Sequence, residues 1–229
     1  MGQQTTQPQS NASDELAPVL AALDLSCERG NRALFRHFDF ALAPGQIVWL
    51  RGRNGRGKTS LLRLLAGLAS PTAGAVHCGG VALRGAAPQW RERLLYVGHA
   101  NALKDDLSVA ESLRFLAQLQ GRRPSDAEIG AALGRLGIER LAWMPVRTLS
   151  QGQRRRVALA RLALPQPVSV WLLDEPYDAL DDVGMRCLDA LLSEQARRGG
   201  SALLTSHQPL SLRDPLPAVL DLDAHAGLS

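Results

Sequence analysis

The segment Gly52-Arg53-Asn54-Gly55-Arg56-Gly57-Lys58-Thr59-Ser60 carries the spacing G-x-x-x-x-G-K-[ST], and each fixed residue in it has a chemical reason. The glycines let the backbone bend so that several N–H groups converge on phosphate oxygens, and a helix beginning at Lys58 adds its positive N-terminal end. The Lys58 ammonium suits the gap between the β and γ phosphates of a nucleoside triphosphate, and the Thr59 hydroxyl is a ligand for Mg²⁺. Arg56 puts a further cation in the same loop. Its residue type leaves two roles open, added phosphate affinity or a side chain in solvent.

A second reactive group lies more than a hundred residues on, in Val170-Trp171-Leu172-Leu173-Asp174-Glu175-Pro176. Four apolar residues read as a buried strand that ends in two carboxylates, at the edge of the sheet where open α/β folds bind ligands. Asp174 is placed to hold Mg²⁺, directly or through water, and Glu175 to polarise an attacking water as general base. With the phosphate loop upstream, ATP and Mg²⁺ are the expected ligands.

These groups need elements to hold them. Alternating apolar segments at 19–27, 33–42 and 47–50 read as strands, the last following a Pro44-Gly45 turn. Residues 58–68, with leucines at 61, 62, 64, 65 and 68, predict a helix packed on a sheet. Further strands are expected at 94–97, 168–173 and 202–205, a helix at 182–198 and a short apolar segment near Val219-Leu220. Residues 107–164 are mostly helical in pattern, interrupted at Gly121 to Pro124 and at Pro145, and imply an inserted helical subdomain over about 105–164. Strands and helices in alternation predict an α/β fold of the P-loop NTPase kind, with a mainly parallel central sheet and an antiparallel β subdomain feeding it from residues 19–50. The polar residues 1–18 predict a disordered lead, and 19–229 one domain.

Composition narrows the function classes. With 229 residues the chain can bury a sizeable core, and a net charge of +4 spread along it does not indicate nucleic acid. Three cysteines, Cys27, Cys78 and Cys187, far apart and without CxxC spacing, predict reduced thiols. No apolar run approaches the about 18 to 20 residues that span a bilayer, and the first residues lack signal-peptide order. The five histidines, at 37, 77, 99, 207 and 225, are scattered, and there is no CxxCH, so no haem site is expected.

Between the two reactive groups lies Leu149-Ser150-Gln151-Gly152-Gln153-Arg154. Alone it reads as a helix cap. In this position it resembles the signature loop of ABC-type ATPases, and the resemblance implies an ABC nucleotide-binding domain whose signature loop lies across the nucleotide of a second copy. It further implies that Ser150, Gln151, Gly152 and Gln153 contact that nucleotide, that Ala179-Leu180-Asp181 is the loop crossing the dimer interface, and that His207 contacts the γ phosphate. Arg154-Arg155-Arg156 reads as a solvated helix face with structural ion pairs. Two positions depart from the general pattern. Gly98-His99 stands where a Mg²⁺-sensing glutamine is usual, so His99 would reach the metal through water, and Arg29 falls where an aromatic ring stacks on adenine, a role a guanidinium can fill. Gln151 stands where many relatives have a smaller residue.

Leu25-Ser26-Cys27-Glu28-Arg29, Leu34-Phe35, Tyr96-Val97-Gly98-His99, Leu103-Lys104, Leu107-Ser108 and Leu204-Thr205-Ser206-His207-Gln208-Pro209-Leu210 are similar to the ATP-binding subunits of the cytochrome c maturation haem exporter, over about residues 19–213. Ala100-Asn101-Ala102 departs from the Gln-Pro-Gly of that group. The resemblance implies an ATPase on the cytoplasmic face of the bacterial inner membrane, paired with itself. It also implies docking on a CcmB-like membrane subunit with CcmC-, CcmD- and CcmE-like proteins nearby. Hydrolysis would drive haem export or release of a haem-loaded chaperone. The alternatives are the ATPase of another ABC exporter or a soluble, non-transport ABC ATPase.

Overall fold

The computed structural model describes residues 17–30, 32–83, 90, 92–167 and 170–225; the polar lead falls almost entirely outside them. Strands β1 (Leu20–Arg29), β2 (Arg32–Leu42), β4 (Ala73–Cys78) and β5 (Val81–Ala82) form an antiparallel sheet in the order β2-β1-β4-β5. Strands β3 (Ile47–Arg51), β6 (Leu94–Val97), β7 (Val170–Leu173), β8 (Ser201–Thr205) and β9 (Ala218–Asp221) form a second sheet in the order β6-β7-β8-β3-β9, with every pair parallel. The expected antiparallel β subdomain is therefore a sheet of its own, beside the parallel one. It recruits β4 and β5, whose small and polar residues gave no strand signal.

The parallel strands are buried on both faces, which is why they read as continuous apolar runs. Trp171 and Leu173 of β7 turn to a core shared with the helices, while Val170 and Leu172 turn to a core shared with the antiparallel sheet. Helix α1 (Lys58–Leu65) lays Leu61, Leu62, Leu64 and Leu65 on that second side. It ends three residues before the expected Leu68. Gly67, at φ +70, turns the chain there, and the Leu68 N–H closes onto the Arg63 carbonyl at 2.8 Å, leaving Leu68 exposed.

The helical part comprises α2 (Val109–Gln118), α3 (Asp126–Arg135) and α4 (Gln151–Leu159), within the expected span. Each starts at a serine, Ser108, Ser125 and Ser150, whose hydroxyl accepts the N–H three residues on, while Glu111, Glu128 or Gln153 reaches back to the cap N–H. Helix α5 (Asp182–Arg197) follows β7, and Asp181 caps it by accepting the Gly184 N–H at 2.9 Å. No helix among the described residues is long and apolar enough to cross a membrane.

Candidate functional site

Parallel strands carry their C-terminal ends to one edge of the sheet, and the chemistry gathers there. β3 leads into the phosphate loop, β7 into Asp174 and Glu175, β8 into His207 and β6 into His99. Because β6, β7, β8 and β3 are consecutive neighbours, these groups meet without long connections. They line a cavity of about 540 Å³ together with Arg29, Arg53, Asn54, Gly55, Arg56, Gly57, Lys58, Thr59 and Ser60.

The loop is shaped for an anion. Gly57 sits at φ +106, a conformation that suits glycine, and provides α1 with no side-chain cap, so the first helical N–H groups remain available. There is no acidic residue in the first turn to compete with an anion. Lys58 Nζ donates to the Gly52 carbonyl at 2.7 Å, which holds the loop closed around its own cation.

The carboxylates have separate surroundings. Asp174 is 2 % exposed, and its Oδ1 accepts from both Thr59 Oγ1 and Thr205 Oγ1 at 3.1 Å. Its Oδ2 is buried with no hydrogen-bond partner. An orphaned carboxylate oxygen beside a hydroxyl is an all-oxygen donor set of the kind Mg²⁺ takes, so these residues fit that ion. Glu175 lies in the left-handed region at φ +49, a conformation costing a non-glycine residue about 1–3 kcal/mol unless its surroundings fix it. Its N–H donates to Thr205 Oγ1 at 2.7 Å, and its carbonyl accepts from Arg155 Nη2 at 2.7 Å. Burial pushes its carboxyl pKa up, opposed by the charges of His207 and Lys58. Oε2 accepts the His207 N–H at 3.0 Å, and His207 Nε2 stands 3.5 Å from Oε1. The histidine ring is half exposed toward the cavity.

Arg155 overturns the solvated-face reading of the triple arginine. It is 3 % exposed and donates to the carbonyls of Gly98, Asp174, Glu175 and Pro176 and to Asn101 Oδ1, tying the ends of β6 and β7 together. Its two neighbours do make ion pairs, Arg154 with Asp105 at 2.7 Å and Arg156 with Asp181. Sequence reasoning had no signal for this because the burial is set by partners about twenty and more than fifty residues away. It also missed Thr205, the hinge between the two carboxylates, and Arg32, which lines the cavity beside Arg29.

Other expected contact residues lie elsewhere. Ser150, Gly152, Gln153 and Asp181 line a separate cavity of about 660 Å³ with Ala179 and Arg156. Gly152 is required there by close approach, since a Cβ would come 2.7 Å from the Ala179 carbonyl oxygen. Gln151 is exposed at the start of α4. His99, by contrast, stays at the phosphate-loop cavity, exposed, with Nδ1 3.6 Å from Asp178 Oδ2.

A phosphate loop, a paired-carboxylate strand and a histidine strand on one sheet edge, with a helical insertion between, define an ABC-type ATP-binding domain. The chain belongs to the ABC transporter family, whose model matches residues 35–178. It is 46% identical to cytochrome c biogenesis ATP-binding export protein CcmA 2 of Cupriavidus metallidurans over 91% of this chain and 97% of that protein. It is also 45% identical to the protein of the same name, CcmA, from Aromatoleum aromaticum, over 90% of this chain and 95% of that protein. Among solved structures, a putative ABC transporter ATP-binding protein from Pyrococcus furiosus superposes with a TM-score of 0.77 at 25% identity, covering 90% of this chain and 98% of that one.

Proposed function

We propose that the chain is the ATP-hydrolysing subunit of an ABC-type membrane complex serving cytochrome c maturation. The observation that carries the catalytic part is the convergence of Lys58, Thr59, Asp174, Glu175 and His207 on one cavity. The pathway rests on similarity to the cytochrome c biogenesis export proteins along nearly the whole chain.

In this reading the phosphates of ATP lie against the N–H groups of residues 53–60, with Lys58 exchanging its Gly52 carbonyl for phosphate oxygens. Arg29 stacks on the base. Thr59 and Asp174 would hold Mg²⁺, directly or through water, and His99 would reach it through water; the ion when bound neutralises phosphate charge. Glu175 accepts a proton from a water whose oxygen forms a bond to the γ phosphorus, while the bond from that phosphorus to the bridging oxygen of ADP breaks. His207 contacts the γ phosphate and, through its N–H, keeps the Glu175 carboxylate facing the reaction.

Ser150, Gln151, Gly152, Gln153 and Asp181 serve the nucleotide of a second copy. Their separation from this chain's own phosphate loop into another cavity supports that role. The partners are then this same chain, in a nucleotide-sandwich dimer, and an integral membrane subunit of the CcmB kind with CcmC-, CcmD- and CcmE-like proteins. The site of action is the cytoplasmic face of the bacterial inner membrane, and the work is haem export or release of a haem-loaded chaperone. Lys58→Ala in the host should abolish c-type cytochrome assembly, measured by haem staining of membranes; normal cytochrome c in that strain would exclude this pathway.

A further inference from the structure

Arg56 is a large cation in a loop otherwise shaped by glycines, and its side chain is not turned to solvent. Its Nε lies 3.1 Å from Asp223 Oδ1, with the two side chains 22% and 33% exposed. That Nε is sealed from solvent and lacks an aligned hydrogen bond, so charge is what holds the pair. The other oxygen of the same carboxylate, Asp223 Oδ2, accepts the Arg53 backbone N–H at 2.9 Å. Arg53 and Arg56 are the ends of one turn, closed by the Arg56 N–H on the Arg53 carbonyl at 3.2 Å. One carboxylate therefore grips both ends of the turn that opens the phosphate loop.

The position of Asp223 is itself fixed. β9 runs parallel to β3 with Asp221 beside Arg51, so the next residues travel alongside the loop as it leaves β3. Leu222 is fully buried, and a Cβ on Gly52 would come 3.3 Å from Leu222 Cβ. Asp221 Oδ1 accepts the Asp223 N–H at 2.9 Å. Lys58 holds the loop from the inner side through the Gly52 carbonyl, and Asp223 holds it from the outer side.

We propose that Asp223 is a positioning residue for the nucleotide: with Arg56 it fixes the phosphate loop in its binding shape, so the segment after β9 forms part of the ATP site. This rests on the nucleotide-site reading above. Arg53, Arg56 and Lys58 crowd three positive charges into six residues, and an unpaired Arg56 would be free to swing across the loop. Asp223 holds that side chain at the wall of the cavity it lines, and with it the shape of the loop. Loss of a negative charge alone would tighten binding of an anion, whereas loss of a latch weakens it, so the two effects have opposite signs.

The test is the dissociation constant of MgADP for the full-length protein by calorimetry, with the nucleotide-free melting temperature measured in parallel. Asp223→Ala, which removes both contacts, should raise Kd about tenfold. Asp223→Asn keeps an acceptor for the Arg53 N–H but loses the charge that latches Arg56, and should raise Kd about threefold. In an Arg56→Ala background, Asp223→Asn should change Kd by less than about 1.5-fold, because the charge then has no partner. If Asp223→Ala does not fold, the Asp223→Asn and Arg56→Ala cycle decides alone. Unchanged or tighter MgADP binding with a lowered melting temperature would show a merely structural contact and overturn the proposal, as would equal effects of Asp223→Asn in both backgrounds. Failure of the unsubstituted protein to bind MgADP would instead overturn the nucleotide-site reading.

Discussion

Glu175 is held in a costly backbone conformation by two neighbours that do no chemistry themselves, the Thr205 hydroxyl and the Arg155 guanidinium. Its proposed role as base depends on the same surroundings. Burial raises its pKa against the pull of His207 and Lys58, and a base works only when ionised. Turnover should therefore fall as pH drops through that raised value, placing the acid limb of kcat above the ordinary glutamate value of about 4.3. A pH profile of ATP hydrolysis whose acid limb lay at or below that value would separate the limb from Glu175. The residues that line the cavity were legible in the sequence, since Lys58, Thr59, Asp174 and Glu175 sit in short patterns whose spacing has a chemical reason. The residues that aim them were not. Thr205 and Arg155 reach their partners across gaps of about 20 to 57 residues, and nothing in their local sequence distinguishes them from a strand-end threonine and a helix-face arginine.

Among the elements, the strand ends decide what meets what. Placing β7 between β6 and β8 brings the carboxylates between His99 and His207. Apolar runs at 94–97, 170–173 and 202–205 disclosed these strands, because a parallel sheet covered on both faces leaves little polar alternation. Their order was not disclosed, since it depends on crossovers. β4 and β5 were also invisible: Ala73–Cys78 contains a glycine and a histidine and depends on β1 for pairing, and the two-residue Val81–Ala82 depends on β4. Arg155 clamps the ends of β6 and β7 from α4 by donating to four backbone carbonyls. Arg155→Ala should destabilise the protein by about 3 kcal/mol or more, because those carbonyls lose their donor inside the fold. Arg155→Lys should recover less than half of that, since one ammonium cannot reproduce the planar fork. Chemical denaturation measures both; a loss below about 1 kcal/mol in Arg155→Ala would contradict the clamp.

At the scale of the whole molecule, two recognition surfaces stand apart. One cavity gathers the phosphate loop, both carboxylates and His207, and the other gathers Ser150, Gly152, Gln153 and Asp181. The second set lines a cavity separate from that of the phosphate loop, which supports the proposal that two copies share each ATP. Arg156 joins the halves of the second surface by pairing with Asp181 from α4, so the capped helix start and the loop before α5 present one face. ATP hydrolysis with Glu175 as the proposed base is tested by comparing Glu175→Gln with the unsubstituted protein at saturating MgATP, in the presence of its membrane partner. The glutamine variant should still bind ATP while its turnover falls by about 10²-fold or more. Turnover within twofold of the unsubstituted protein would show that Glu175 is not the base.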